Sequence, residues 1–364
     1  MKIAIVHDFL NQYGGAERVL GYFIKIFSDA PIYTSIYFPK DTFDFFQDKN
    51  IHTTFMQKIP GINKRFKSFF FLYPYVFKRL NLKNYEIILC SSSSFANFAK
   101  KPEGSVQISY CYTPPRFLWD SEKYIKGEKL NQIKSSLIGP VLKYFRKIDI
   151  ENSKKVDYFI AISRIVKERI KKVYNRESVV IYPPIEFEKY IFNSSKENFY
   201  LLVSRLKGYK RLDVAINAFN DLGKKLFVVG TGEDLEYLKG ISAKNITFLG
   251  RLTEKDLLDL YSRAKALIFT GEEDFGMIPL EAQASGTPVI AYGSGGALET
   301  IIEGVTGYFF YRQTLESLKE KILEFENNPV DSQKCRENAA RFDFISFRDK
   351  ISEFVKRAYD EKFN

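Results

Sequence analysis

The sequence predicts an α/β protein made of two Rossmann-like domains, each a doubly wound parallel sheet, facing one another across a cleft. Three observations predict it. Short apolar runs of strand length alternate with helix-period patterns through the first half, as in parallel sheets covered on both faces. The alternation stops at a break holding Pro183, Pro184 and the polar run 193–198, then starts again. The length, 364 residues, exceeds what one ordinary core accommodates and suits two domains.

The elements follow in order. Residues 2–6 (KIAIV) read as a buried strand, then comes a loop with Gly14-Gly15, then a helix over 16–27 with Val19, Leu20, Phe23 and Phe27 on one face. IYTSIY, YEIILC, VQISYC and YFIAIS are the next strands, with helical stretches between most of them, and Ser163 is placed to cap a basic helix, RIVKERIKKVYN. After the break, FYLLVS is a strand and 211–222 a helix. KLFVVG, NITFLG and ALIFT are strands, with helices after the first two. A turn over 271–276 enters a helix ending near Gly286, PVIAY is the next strand, and the chain from Leu315 onward is helical. The expected boundaries are 1–185 and 186–343, with a C-terminal helix, 344–364, packing back on the first domain. In sheets of this kind ligands bind beyond the carboxyl ends of the strands, and almost every distinctive motif falls there.

Composition narrows the class. The longest apolar run, Phe69–Phe77, holds Pro74 and is far short of the ~20 residues that span a bilayer. The start, MKIAIVHDFL, enters a strand pattern directly and lacks signal-peptide architecture, so a cytoplasmic location is expected. Cys90, Cys111 and Cys335 form no CxxC pair, and His7 and His52 are the only histidines, which argues against a zinc site or a multi-histidine metal centre. No Asp-x-Asp pair occurs. Neither a metal nor a cofactor is therefore expected. The net charge of +11 is uneven: residues 1–185 carry 30 Lys+Arg against 16 Asp+Glu, and residues 186–364 carry 25 against 28. Such asymmetry points to a polyanionic surface as partner of the first half.

The segment 58–83 concentrates this charge. It holds seven Lys/Arg and seven aromatics, and no acid occurs between Asp48 and Glu86. Interleaved cations and aromatics suit an anionic membrane interface. A core helix with a solvated basic edge, or a nucleic-acid patch, fits the same composition, but no nucleic-acid module accompanies it.

Five groups of residues carry the chemistry. Glu273 lies in the turn after ALIFT and Glu281 on the following helix, with Phe275, Gly276 and Met277 between them. Gly276 lets backbone approach a ligand closely, and the first turn of the helix offers free N–H groups to an anion. Glu273 is placed to hold a sugar hydroxyl and Glu281 a ribose hydroxyl pair; a solvated acidic turn plus one exposed helix glutamate is the plain alternative. Arg205 and Lys210 follow the first strand of the second half. Two fixed cations there suit the charge that develops on a diphosphate leaving group, with Lys207 and Arg211 as bystanders; ordinary surface basicity is the plain alternative. Gly14-Gly15, after strand one, permits close backbone approach to a phosphate or sugar, although the spacing is not that of the dinucleotide fingerprint. Gly230, Thr231 and Gly232 form another strand-end turn, suited to a phosphate or ribose or to a tight turn alone. His7 and Asp8 end the first strand and face the expected cleft.

The strings GGAERVL, YCYTPPRFLWD, VSRLKGYKRLD and EEDFGMIPLEAQASGTPVIAYGSGGALETI resemble the retaining family 4 glycosyltransferases of GT-B fold. The likeness runs through nearly the whole chain, and the first two strings look most like members that build surface polysaccharides, often from GDP-mannose. The resemblance implies a first domain on the acceptor side and a second that binds the nucleotide-sugar donor. It implies retaining, metal-independent hexosyl transfer, with mannose from GDP-mannose the best guess. The acceptor would be a hydroxyl of a growing, lipid-linked glycan at the inner face of the cell membrane. It also implies that Gly14-Gly15 lies against donor phosphate and acceptor, and that Arg251 and Leu252 lie where the base is held. Arg205, Lys210 and Glu273 take the catalytic places. Family members usually carry a histidine near the reacting end of the donor sugar, where this chain has Tyr112. A phenol donates a hydrogen bond but is a poor base at neutral pH. Arg116, Trp119 and Asp120 line the acceptor side in this reading; Arg18 of the first helix serves either the acceptor or the surface, and Trp119 either sugar stacking or packing. A sugar-nucleotide 2-epimerase and a non-catalytic membrane- or glycan-binding protein share the architecture and stand as alternatives.

Overall fold

A computed structural model of the chain describes residues 1–120 and 132–364. The chain forms two compact units. Met1–Tyr182 and Phe347–Asn364 make the first, and Pro183–Ser346 the second.

The first unit is built on seven strands: β1 (Ile3–His7), β2 (Ile32–Thr34), β3 (Ile51–Thr53), β4 (Ile87–Ser92), β5 (Val106–Cys111), β6 (Tyr158–Ala161) and β7 (Val179–Val180). Every pairing is parallel, in the order β3-β2-β1-β4-β5-β6-β7. The connecting helices are α1 (Gly15–Ile26), α2 (Ile62–Arg65), α3 (Tyr73–Lys78), α4 (Arg116–Trp119), α5 (Gln132–Ser153) and α6 (Arg164–Tyr174). β4 and β5 are buried at every position, as central strands covered on both faces must be. Ser163 caps α6, its hydroxyl accepting from the Val166 amide as its place before the helix predicts.

The second unit repeats the plan with β8 (Tyr200–Val203), β9 (Leu226–Val229), β10 (Ile246–Gly250), β11 (Ala266–Phe269), β12 (Val289–Tyr292) and β13 (Gly307–Phe310). The sheet is again wholly parallel, in the order β10-β9-β8-β11-β12-β13. Its helices are α7 (Leu212–Leu222), α8 (Leu235–Gly240), α9 (Glu254–Arg263), α10 (Met277–Ala284), α11 (Ala297–Thr300), α12 (Leu315–Asn327) and α13 (Ser332–Ala340). One face of α7 joins Tyr200, Leu202, Leu226 and Ile268 in the core, with Phe219 edge-on to Tyr200. The expected Rossmann-like, doubly wound architecture is thus observed in both units.

The last helix, α14 (Phe344–Phe363), passes from the second unit into the first. Within the first unit Phe347 packs on Phe23 and Tyr110, and the Tyr359 hydroxyl reaches Glu86.

Three strands are not anticipated by the sequence, each for a physical reason. β3 is a short edge strand whose His52 and Thr53 are exposed, so it shows no apolar run. β7 is two residues long and lies inside the stretch read as linker. β13 opens on Gly307, where a Cβ would strike the Val289 carbonyl of β12, so a residue that weakens a strand pattern is the one that fits. The basic-aromatic stretch is not one helix. It breaks into α2, a 3-10 segment (Phe66–Leu72) kinked at Phe69, and α3. Ile62, Tyr73, Val76 and Phe77 enter the core, while all seven Lys and Arg of 58–83 are exposed. Among the described residues no helix is long and apolar enough to cross a membrane.

Candidate active site

In each sheet the strand order reverses once, between β1 and β4 in the first unit and between β8 and β11 in the second. Loops diverge at such a point and leave a crevice at the carboxyl edge.

In the second unit the loops after β8 and β11 bring Lys210 and Glu273 together as an ion pair. The Lys210 side chain is 9% exposed and that of Glu273 29%, so the carboxylate is the more accessible partner. Lys210 also lies 4.9 Å from the centre of the Tyr209 ring, and its carbonyl accepts from the Thr270 hydroxyl at 2.8 Å. Gly271 packs under it; a Cβ there would come within 3.3 Å of the Lys210 Cα. The next residue, Arg211, holds a left-handed conformation (φ 52°) that non-glycine residues rarely adopt. A two-point ion pair with Asp213 and a bond to the Gln313 carbonyl keep it there. Arg211 is thereby fixed immediately after Lys210 in the chain. Arg205 is exposed, with its guanidinium 3.4 Å from the Tyr209 hydroxyl. A shielded cation beside an accessible carboxylate, with a second cation in solvent, suits a ligand offering both anionic oxygens and hydroxyls.

Two other glycines fix the Glu273 loop. Glu273 forms an isolated parallel bridge with Gly295, and the Gly296 amide donates to the Glu273 carbonyl at 2.8 Å. A Cβ on Gly295 would lie 2.3 Å from that carbonyl, and one on Gly296 would lie 2.2 Å from the Phe275 Cα. Phe275 is buried against Phe342, Gly276 turns the chain at φ 91°, and Met277 opens α10 half-buried. Glu281 is not a solvated helix glutamate. It is buried, and its carboxylate accepts from the Tyr261 hydroxyl at 2.9 Å.

The loops after β9 and β10 adjoin this edge. At Gly230 (φ 132°) a Cβ would meet the Ser204 carbonyl at 1.9 Å, and at Gly232 the Leu206 carbonyl at 2.2 Å. These glycines let the Gly230–Gly232 turn press on the loop that carries Arg205. Arg251 is exposed and Leu252 half-buried just past Gly250, where the β9–β10 register shifts.

The first unit corrects two expectations. Asp8, expected to face a ligand, is buried, and its two oxygens accept from Ser93 N, Ser93 Oγ, Phe95 N and Ala96 N at 2.6–3.1 Å. It shapes the loop after β4 instead. Tyr112 is also buried, with its hydroxyl 2.8 Å from Ser91 Oγ and donating to the Ala16 carbonyl at 3.0 Å. Burial holds this phenol well above its ordinary range, the Ser91 bond opposing and the charges of Glu17 and Asp8 adding. It is a strut from β5 to the start of α1, not a group offered to a sugar. Gly14 is half-buried and Gly15 exposed at that start, with Arg18 half-buried one turn on. Arg116 is half-buried at the first position of α4, and the Asp120 amide closes that turn on the Arg116 carbonyl. Trp119 packs: its indole donates to Asp149 at 2.7 Å and its ring meets Tyr174 edge-on.

Tyr209, Tyr261 and Ser91 give no signal in the sequence. A lone tyrosine or serine has no spacing signature, and only the folded neighbourhood reveals what it touches.

Residues 184–342 match the sequence model of the family described as glycosyl transferases group 1. The chain is 29% identical over 234 residues to an uncharacterized glycosyltransferase of Methanocaldococcus jannaschii, covering 63% of this chain and 65% of that one. It is 26% identical over 224 residues to the O-antigen chain mannosyltransferase RfbU of Salmonella typhimurium, covering 58% and 63%. The chain thus spans less than two thirds of the length of these curated relatives. Among solved structures, Anabaena HepE in complex with UDP-glucose superposes with a TM-score of 0.74 at 16% identity, over 98% of this chain and 100% of that one. At that identity the likeness is one of fold.

Proposed function

Given that this chain carries a glycosyl transferases group 1 domain, we propose that it transfers a hexose from a nucleotide diphosphate sugar to a hydroxyl of a glycan. The observation that carries the reading is the Lys210–Glu273 pair at the strand-order reversal of that domain. In this reading Lys210 and Arg205 take the diphosphate, whose charge grows as the glycosidic bond breaks. Glu273 exchanges part of its bond to Lys210 for a hydroxyl of the donor sugar. Transfer proceeds with retention and without a metal, the leaving phosphate assisting on the same face. Arg251 and Leu252 lie beside the base, and Glu281, steadied by Tyr261, lies toward the ribose.

The donor we propose is GDP-mannose; the likeness to the mannosyltransferase RfbU favours the mannose, and the sequence resemblance the GDP. The UDP-glucose in HepE makes a UDP-sugar the first competitor. The first unit holds the acceptor, a lipid-linked glycan, near the loop with Gly14 and Gly15, and its basic-aromatic surface rests on an anionic membrane. The setting is surface polysaccharide synthesis at the inner face of the cell membrane.

The test uses the full chain. Thermal melting with GDP-mannose and UDP-glucose identifies the base, because only a ligand bound by the native state raises the melting temperature. Arg205→Ala and Lys210→Ala are each expected to lower turnover by about 10²–10³, with melting in the absence of ligand unchanged within a few degrees. Near-normal turnover in both variants would remove these residues from the mechanism. No response to any nucleotide sugar would remove the function.

A further inference from the structure

A buried polar chain runs beneath the Gly14–Gly15 loop, and counting its hydrogens leaves one proton to be placed. The Ala16 carbonyl accepts from the Tyr112 hydroxyl at 3.0 Å. A phenol has one hydrogen, so the Tyr112 oxygen receives its second bond from Ser91 Oγ, at 2.8 Å. Ser91 has then used its own hydrogen, and its 2.9 Å bond to His7 is donated by Nδ1 of the ring. A neutral imidazole with its hydrogen on Nδ1 has a bare lone pair on Nε2. That atom lies 3.8 Å from Glu17 Oε1. Both residues are buried, and neither His7 Nε2 nor Glu17 Oε2 has a hydrogen-bond partner.

A lone pair facing a buried carboxylate is unfavourable on two counts, repulsion and an uncompensated charge. The other groups around the pair do not resolve it. Gln12 gives Glu17 Oε1 one neutral donor at 2.9 Å, and the first turn of α1 favours an anion. Asp8, on the same strand end as His7, is already satisfied by four donors. Tyr112 has given its hydrogen away, and Tyr73 lies toward Asp8.

We infer that His7 and Glu17 hold one additional proton between them, and that this proton positions the glycine loop. The chain starts at the Ala16 carbonyl and returns at the Glu17 side chain, so it grips adjacent residues of the first turn of α1. Gly14 sits directly against Glu17, because a Cβ there would strike its Oε2. His7 and Glu17 touch no reacting atom; they are positioning residues. The proton turns a repulsion between the two groups into a bond, and with it in place the turn is held. The part played in acceptor binding rests on the reading of the first unit given above.

The test is nitrogen NMR of the ¹⁵N-labelled full chain at neutral pH. His52→Gln assigns the ring signals, since the chain has two histidines. The expected spectrum shows hydrogen on Nδ1 of His7 and Nε2 bonded to the shared proton. In Glu17→Gln the amide donates to Nε2, and only Nδ1 carries hydrogen. Amide exchange at 14–17 is expected to be about tenfold faster in Glu17→Ala than in the wild type, and to return to the wild-type rate in Glu17→Gln. A ring whose only hydrogen is on Nε2, or a bare Nε2 in the wild type, overturns the shared proton. Unchanged exchange in Glu17→Ala overturns the positioning. Should Glu17→Ala not fold, exchange in His7→Phe, which removes the same proton, takes its place. Failure of GDP-mannose hydrolysis or transfer strikes the proposed function and leaves the ring spectrum intact.

Discussion

Single residues show most clearly what burial does to chemistry. Burial pushes the Asp149 carboxyl up to about 6, although Trp119 and Tyr174 both donate to it. Its folded value lies above its unfolded one, so the native state binds the proton more tightly. The associated stability, on the order of 2–3 kcal/mol, is present in full below about pH 4 and lost as the pH rises through about 6. Trp119 is the sole tryptophan. Its fluorescence should therefore titrate with a midpoint near pH 6 in the native protein, and Asp149→Asn should abolish that step; a flat wild-type curve contradicts the assignment. Residues of this kind are not legible in the sequence. Lys210 and Glu273 stand out there as candidates, but their pairing does not, because it depends on two loops meeting at a strand-order reversal. Asp8 and Tyr112 show the opposite failure. Each lies at a strand end, where a ligand group is expected, and each is turned inward by partners distant in the chain.

At the level of elements the reading succeeds where periodicity is strong and fails where an element is short. The buried strands β1, β4, β5, β8 and β11 announce themselves as apolar runs, and α6 and α7 by their apolar stripes. β3 and β7 lack the length, and β13 is disguised by its glycine. The glycines beside the site have a use the sequence only hints at. They hold loop against loop and need not touch a ligand. Gly296→Ala is the clearest probe, since its Cβ would collide with Phe275 backbone that has no flexible end to move. The expected cost is about 1–3 kcal/mol of stability, measured by denaturant unfolding. The displaced Glu273 loop should in addition weaken nucleotide-sugar binding. Wild-type stability would mean that the loop accommodates the methyl group and is softer than described.

The charge asymmetry belongs to the whole molecule. The exposed cations of 58–83 stand among Phe71 and Tyr75, which are 52% and 53% exposed, while the apolar partners of that stretch are in the core. Vesicles containing phosphatidylserine should bind the protein, and neutral phosphatidylcholine vesicles should not. Each basic residue near the surface contributes about 1 kcal/mol, so replacing Lys64, Arg65 and Lys67 by Gln should weaken binding by more than about a hundredfold. Binding that is indifferent to salt and to lipid charge would exclude this surface as the docking face.

The helix α14 leaves a mark on how the protein comes into being. The second unit is complete once residue 346 has been made, whereas the first still lacks Phe347, which closes over Phe23 and Tyr110. Domains usually form in the order they leave the ribosome, but here the unit translated first is the last to be finished. Until Phe347 has been made, Phe23 and Tyr110 lack the ring that packs on them. A chain cut before residue 347 would therefore show its defect in the first unit, far from the cut in sequence.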